Sequence, residues 1–368
     1  MPPKKAAGAA QAAKAVNKKQ TQEKDVPDRT KEEQQAKSGE LKDEEKEEAK
    51  AGQKRKTPPA SKAEKPPKKE PRQGARASAR SAGKLGSGAT VTSKQMLNFL
   101  LSKDALEYCY PADELEAAHS GKFSKNYSLT PPSLFTPFEH LVTAHLLSKP
   151  LSHVLGMRSV RTLLNPPYGY STPEEMKKAG EDKIYQALEE AKTQHRQKTA
   201  AYLFEMAELY AGDLSKDASS ASHGGDSDTM LDLAEAANDG GPRATISHLK
   251  STVKGLGDIG GQIFCRRVQA CDGWGEAIWP YADSKAMDAL REVGIKIADA
   301  DELQEMIEQD VDWDKVGDMG LVREKEGVDE QDYDVQVAVE FVTVLERALG
   351  AVLEDKVGQL QKAAAEWT

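Results

Sequence analysis

Large apolar side chains are almost absent from the first ninety residues of this 368-residue chain and recur at helical spacing through most of the rest. A segment rich in Lys, Glu, Ala, Pro and Gln cannot bury enough surface to offset its conformational entropy, so residues 1–90 are expected to be disordered. Residues 39–50 carry charges four apart that favour at most a transient helix. The charge balance divides at the same place. The first ninety residues hold 23 Lys/Arg against 13 Asp/Glu, and residues 91–368 hold 28 against 47. A basic tail on an acidic remainder points to an anionic partner for the tail, most often nucleic acid, and argues against a folded part that clings to DNA over its whole surface. Lys54-Arg55-Lys56 and the cluster from Lys65 to Lys69, with a short Pro/Ala/Ser spacer between them, have the layout of a bipartite nuclear import signal. A nuclear location and an import receptor as partner follow as expectations, beside the plainer reading of a solvated charged linker.

From Val91 onward the apolar period is helical. Met96, Leu97, Leu100 and Leu101 share a face within 94–107. Pro137 opens a helix whose face is Phe138, Leu141, Val142 and Leu146, and 151–164 forms another, stopped by Asn165-Pro166-Pro167. Ser171-Thr172-Pro173-Glu174-Glu175 reads as a helix start, with helices at 181–191 and 194–211 after it. Residues 212–229 are polar and low in complexity, a flexible acidic loop. Helices are expected again at 230–237, 243–253, 258–270, 284–293 and 301–309. One long helix is expected at 334–364, striped by Val335, Val339, Val342, Leu345, Leu349 and Val352. No run alternates as a strand would, so the expected class is all-α.

The stretch 244–293 carries the chemistry. A helix ends near Thr252-Val253, Gly255-Leu256-Gly257 makes a tight turn, and a second helix starts at once with Ile259, Ile263, Phe264 and Val268 on its buried face. Glycines let the backbone take positive φ and approach an anion, and the new helix offers unpaired N–H groups at its positive end. Lys254, Gly255, Gly257 and Gly260 are therefore candidates for contact with a nucleic-acid phosphate, with Arg266 and Arg267 further along to reach the backbone. A helix-to-helix turn that simply needs glycine is the plain alternative.

The segment from Val253 to Gly261, VKGLGDIGG, with Tyr281-Ala282-Asp283-Ser284 opening the next helix, resembles the helix-hairpin-helix, Gly/Pro-rich loop and aspartate superfamily of DNA glycosylases, of the endonuclease III type. Both hairpin glycines match; Lys254 stands at the family's proline, and Asp283 arrives several residues late, which implies an insertion around 271–277. Upstream, Thr136-Pro137-Phe138-Glu139-His140-Leu141 through Leu147-Ser148, then Thr172 to Met176, then Gln194 to Tyr210, follow the family order, so the likeness spans about 135–295 of a helical domain at 91–368. The resemblance implies a nuclear base-excision repair protein that acts on double-stranded DNA. Ile259 stands where bifunctional members carry the attacking lysine, which implies a monofunctional N-glycosylase without lyase activity. Lys149-Pro150 stands where the family often carries glutamine. Asp258 starts the phosphate-side helix, where its charge opposes a phosphate.

The resemblance makes Asp283 the catalytic carboxylate that stabilises a cation-like sugar and orients water after the damaged base, with alkylated bases among the candidates, has flipped into a pocket. An Asp that only caps the helix beginning at Ser284 is the alternative. Trp279 and Tyr281, with Trp274, are candidate pocket walls, or ordinary core residues. Arg158 and Arg161 meet phosphate or simply cover an exposed helix face. Cys109, Cys265 and Cys271 form no CxxC pair and cannot supply a four-cysteine iron–sulfur loop, and their odd number without a secretory signal reads as a reduced intracellular protein. His140, His145 and His153 lack metal-ligand spacing, so neither metal nor cofactor is expected. No apolar run is long enough to span a membrane. Two other classes stay open: a helix-hairpin-helix DNA-binding protein that has lost its pocket, and a protein-interaction scaffold built on the acidic helices.

Overall fold

Thr92, Thr136 and Thr172 each begin a helix in the same way. The threonine hydroxyl accepts from the backbone N–H three residues on, and a Gln or Glu at that position reaches back to the threonine N–H. These capping boxes, two of them followed by proline at the first helical position, explain why the chain enters helices where the sequence led us to expect them.

The computed structural model describes residues 91–211, 230–321 and 333–367. The basic tail, its import signal and the acidic 212–229 loop lie outside those residues. The helices are α1 (Ser93–Leu101), α2 (Leu106–Cys109), α3 (Ala112–His119), α4 (Pro137–Leu147), α5 (His153–Leu164), α6 (Pro173–Ala179), α7 (Glu181–Glu190) and α8 (Arg196–Tyr210). After the gap come α9 (Leu231–Thr252), α10 (Asp258–Val268), α11 (Gly275–Ile278), α12 (Ser284–Val293), α13 (Ala300–Asp310), α14 (Trp313–Val316), α15 (Tyr333–Leu353) and α16 (Val357–Glu366). No strand occurs among the described residues, and the class is all-α.

Two boundaries differ from expectation. The long C-terminal helix is two: Asp355 takes a left-handed φ of 56°, a conformation Asp tolerates, and the Lys356 N–H closes onto the Ala351 carbonyl at 2.9 Å. The turn brings Leu360 and Ala364 into the same core as α15 and sets Trp367 against Phe99 at 5.8 Å between ring centroids. The pair expected at 230–237 and 243–253 is present within α9, its two helical parts separated by Gly240 and Gly241, which are both non-helical, ahead of Pro242. The first helix stops at Ser102, whose hydroxyl turns back onto the Phe99 carbonyl at 2.8 Å. The short helices α3, α11 and α14 carry too few turns for an apolar period to show.

Two apolar cores result. One gathers mainly α1, α2, α12, α13, α15 and α16, so it joins the start of the described chain to its end. The other gathers α4 to α11. Helix α10 packs against α4 and α9, and α12 against α15. Helix α15 runs through the first core with Phe341, Val342, Val344 and Leu345 buried, yet Glu346 and Arg347 are buried beside them. The guanidinium of Arg347 donates to the carbonyls of Leu100, Leu101 and Ser102 at 2.7–2.8 Å, the last orphan acceptors of α1. No described helix is long and apolar enough to cross a membrane.

Candidate active site

The hairpin forms as a backbone feature. Helix α9 ends at Thr252, Gly255 takes a φ of 75°, and Gly257 precedes α10, whose N-terminus has no side-chain cap. Gly255 is required twice over: a side chain there is strained by positive φ, and its Cβ would collide with the Tyr202 ring. Below the turn, Lys149 Nζ donates to the Gly255 carbonyl at 2.5 Å, and His145 Nε2 lies 3.1 Å from the Lys254 carbonyl. Burial, then the neighbouring charge of Lys198, lowers the pKa of Lys149 to about 8. Burial and Lys149 lower that of His145 to about 3, which keeps it neutral beneath the hairpin. Lys149 is thus a prop of the turn.

Around the hairpin, exposed groups are paired on the protein. Lys254 meets Glu205 at 2.9 Å, and Asp258 meets Lys250 at 2.9 Å. The Lys250 partner offsets the charge that Asp258 sets against a phosphate. Gly260 is buried instead of facing outward: its Cβ would lie 2.7 Å from Leu256 and 3.2 Å from the Ser148 hydroxyl, so this glycine serves the close approach of α10 to the end of α4. Its expected place among the DNA-contacting residues is corrected to packing.

Arg266 and Arg267 are a larger correction. Both lie at the far end of α10 with 5% and 2% of their surface exposed, and both are taken up by partners within the protein instead of presenting an outward cationic face. Arg266 donates through Nε to Glu346 at 2.9 Å and through Nη1 to Asp283, while Tyr127 donates its hydroxyl to Glu346. Arg267 lies over the Tyr127 ring at 4.1 Å. Burial alone would oppose the Arg266 charge, but Glu346 and Asp283 outweigh it and raise its pKa. Burial likewise opposes the Glu346 carboxylate, and Arg266 and Arg267 outweigh it and hold its pKa below the usual range. Burial and Glu346 push the Tyr127 phenol upward. The cluster is formally neutral, with two guanidiniums and two carboxylates. Arg161 is also corrected: it is buried against Glu114, not on an exposed face.

Asp283 caps α12. Its Oδ1 accepts from the N–H groups of Lys285 at 3.0 Å and Ala286 at 3.2 Å. The capping reading therefore holds, and it leaves the catalytic one open, because the carboxylate also lines a cleft. That cleft holds about 180 Å³ and is lined by Asp283, Arg266, Glu346 and Tyr127 together with Ile259, Gln262 and Ile263 of α10. The first turn of α5 and the last turns of α15 complete it. The expected aromatic walls are elsewhere. Trp279 packs on Phe341 at 4.7 Å and donates to Gln304 at 3.0 Å, and Tyr281 lies on the α9 side of α12. Tyr127 is the aromatic that faces the cleft. It had no signal in the sequence. Glu346 did: a carboxylate inside the apolar run of α15 needs a buried partner.

The three cysteines are buried and free. Among the described residues no group of three His, Cys, Asp or Glu could hold a metal ion. Comparison with protein-family models, with curated proteins and with solved structures returns no match to this chain.

Proposed function

We propose that the chain is a monofunctional DNA N-glycosylase of helix-hairpin-helix type, which releases a damaged base from double-stranded DNA. One observation carries the reading: the Asp283 carboxylate lines a cleft that is also lined by Ile259 and Gln262, the residues that follow the glycine hairpin on α10. A hairpin suited to hold a phosphate thus opens onto a carboxylate suited to stabilise a sugar cation. The size of the cleft supports it, since an apolar cavity of about 150 Å³ takes up benzene and this one, at about 180 Å³, suits one aromatic ring system. Ile259, expected on the buried face of α10, is exposed instead and stands where a Schiff-base lysine would be needed, so the product is an abasic site in an intact strand. The basic tail supplies salt-sensitive affinity and, through its two clusters, the address to the nucleus.

The test is release of free base from duplex DNA that carries one N-alkylated purine, incubated with the full chain, followed by alkaline cleavage of the strand. The proposal expects free base, with strand breaks only after alkali. Breaks before alkali contradict the monofunctional assignment, and no release from alkylated, oxidised or deaminated duplexes contradicts the glycosylase reading. One observation favours the non-catalytic DNA-binding alternative: Asp283 is tied to Arg266 in a buried ion pair. That reading expects duplex binding without base release.

A further inference from the structure

We infer that His153, which Glu354 holds and which lines the same cleft as Asp283, is the base that takes the proton from the attacking water; the inference rests on the glycosylase reading above. His153 is the first residue of α5 and lines the cleft. Glu354 follows α15, 201 residues later in the chain, and its backbone N–H closes onto the Gly350 carbonyl at 2.9 Å. His153 Nδ1 lies 2.7 Å from Glu354 Oε1, and the two side chains are only 11% and 16% exposed. A carboxylate on Nδ1 fixes the proton there and leaves the Nε2 lone pair free to accept another, the arrangement by which a buried carboxylate orients a basic imidazole in hydrolases.

The need for such a base comes from Asp283. An ionised carboxylate offers about four acceptor positions. Three donors already hold this one: Lys285 N–H, Ala286 N–H and the Arg266 guanidinium. What remains suits the developing positive charge on the sugar, and the water proton then needs a second acceptor. In the step, the C1′–N bond breaks and its electron pair leaves with the base. The water oxygen bonds to C1′, and one water proton passes to His153 Nε2. An alkylated base that starts as a cation leaves neutral, and His153 ends as imidazolium and returns its proton to solvent. The charged and titratable groups that line the same cleft are Arg266 on α10, Asp283 and Lys285 at the start of α12, Glu346 on α15, and Tyr127.

The experiment is single-turnover base release by the full chain from duplex DNA with one N-alkylated purine, between pH 5 and 9. Wild type, H153Q, E354Q and D283N are compared, with DNA affinity and thermal unfolding measured alongside. Wild type is expected to lose rate on the acid side with a one-proton slope. H153Q is expected to lose about 10²- to 10⁴-fold in rate, the usual yield of a general base, and its acid limb, at unchanged affinity. E354Q is expected to move the acid limb to lower pH, which a merely structural tie between α5 and α15 does not do. If H153Q fails to fold, the E354Q shift decides. Release by H153Q within threefold of wild type, or an acid limb that stays in place in E354Q, while D283N is inactive, overturns the inference and leaves the glycosylase reading standing. Release that is absent or equal in wild type and D283N overturns both.

Discussion

The two ends of α10 are built from the same eleven-residue helix and behave as different materials. At its N-terminus, Gly257, Asp258 and Ile259 are exposed, and the local structure is decided by backbone geometry: a positive φ at Gly255, a helix start without a side-chain cap, and an ion pair open to water. At its C-terminus, Arg266 and Arg267 are sealed among Asp283, Glu346, Tyr127 and His140. Exposed ion pairs contribute about 0–1 kcal/mol, whereas removing one partner of a buried pair costs about 3–5 kcal/mol. The first end can therefore change its charges and keep the fold. The second cannot, and it sets the position of the cleft carboxylate.

The two ends of α10 are expected to differ most at Arg266. Arg266→Met leaves Asp283 and Glu346 without their shared partner, and we expect a loss of about 3–5 kcal/mol in urea unfolding; a loss below about 1 kcal/mol would make the two ends alike. Gly255→Val comes next, with about 1–3 kcal/mol lost to positive φ and to the Tyr202 contact, recovered in part by Tyr202→Ala in the same chain. The buried imidazole below the hairpin gives a pH signature. The pKa of His145 is lowered in the folded chain to about 3 from an ordinary 6.5, so the unfolded chain binds the extra proton. Its contribution is fully present above pH 6.5 and is lost by about 1.4 kcal/mol per pH unit as pH falls toward 3. His145→Gln should remove that part of the slope between pH 6.5 and 5, and an unchanged slope would place the proton uptake elsewhere. The smallest effect belongs to Asp258. Asp258→Asn should leave stability within about 0.5 kcal/mol and strengthen duplex binding several-fold at low salt, as measured by fluorescence anisotropy. Unchanged affinity would mean that the hairpin does not meet the phosphates.

The same division explains what was legible in the sequence. Helix positions from Thr92, Thr136 and Thr172 were readable because a capping box is local, and the hairpin because its glycines are set by φ and close approach. Asp283 was readable as a helix start for the same reason. The fate of Arg266 was not, since it depends on Glu346, eighty residues away, and on Tyr127, which no periodicity marks. Trp279 and Tyr281 precede Asp283 in the chain, but Phe341 and Gln304 take up Trp279 and Tyr281 lies against α9, contacts that no local pattern marks, and the expected pocket walls went into packing. The His153–Glu354 pair joins positions 201 residues apart and is visible only once α5 and α15 are folded against one cleft.

In the function proposed above, hairpin and carboxylate serve one cleft by separate means. The most direct measurement is duplex affinity and single-turnover base release in parallel for wild type, Gly255→Val and Asp283→Asn. Gly255→Val is expected to bind about tenfold or more weakly but to release base near the wild-type rate once bound, while Asp283→Asn is expected to bind normally and release base at least about 100-fold more slowly. Equal loss of both properties in both variants, or base release untouched by Asp283→Asn, would contradict it.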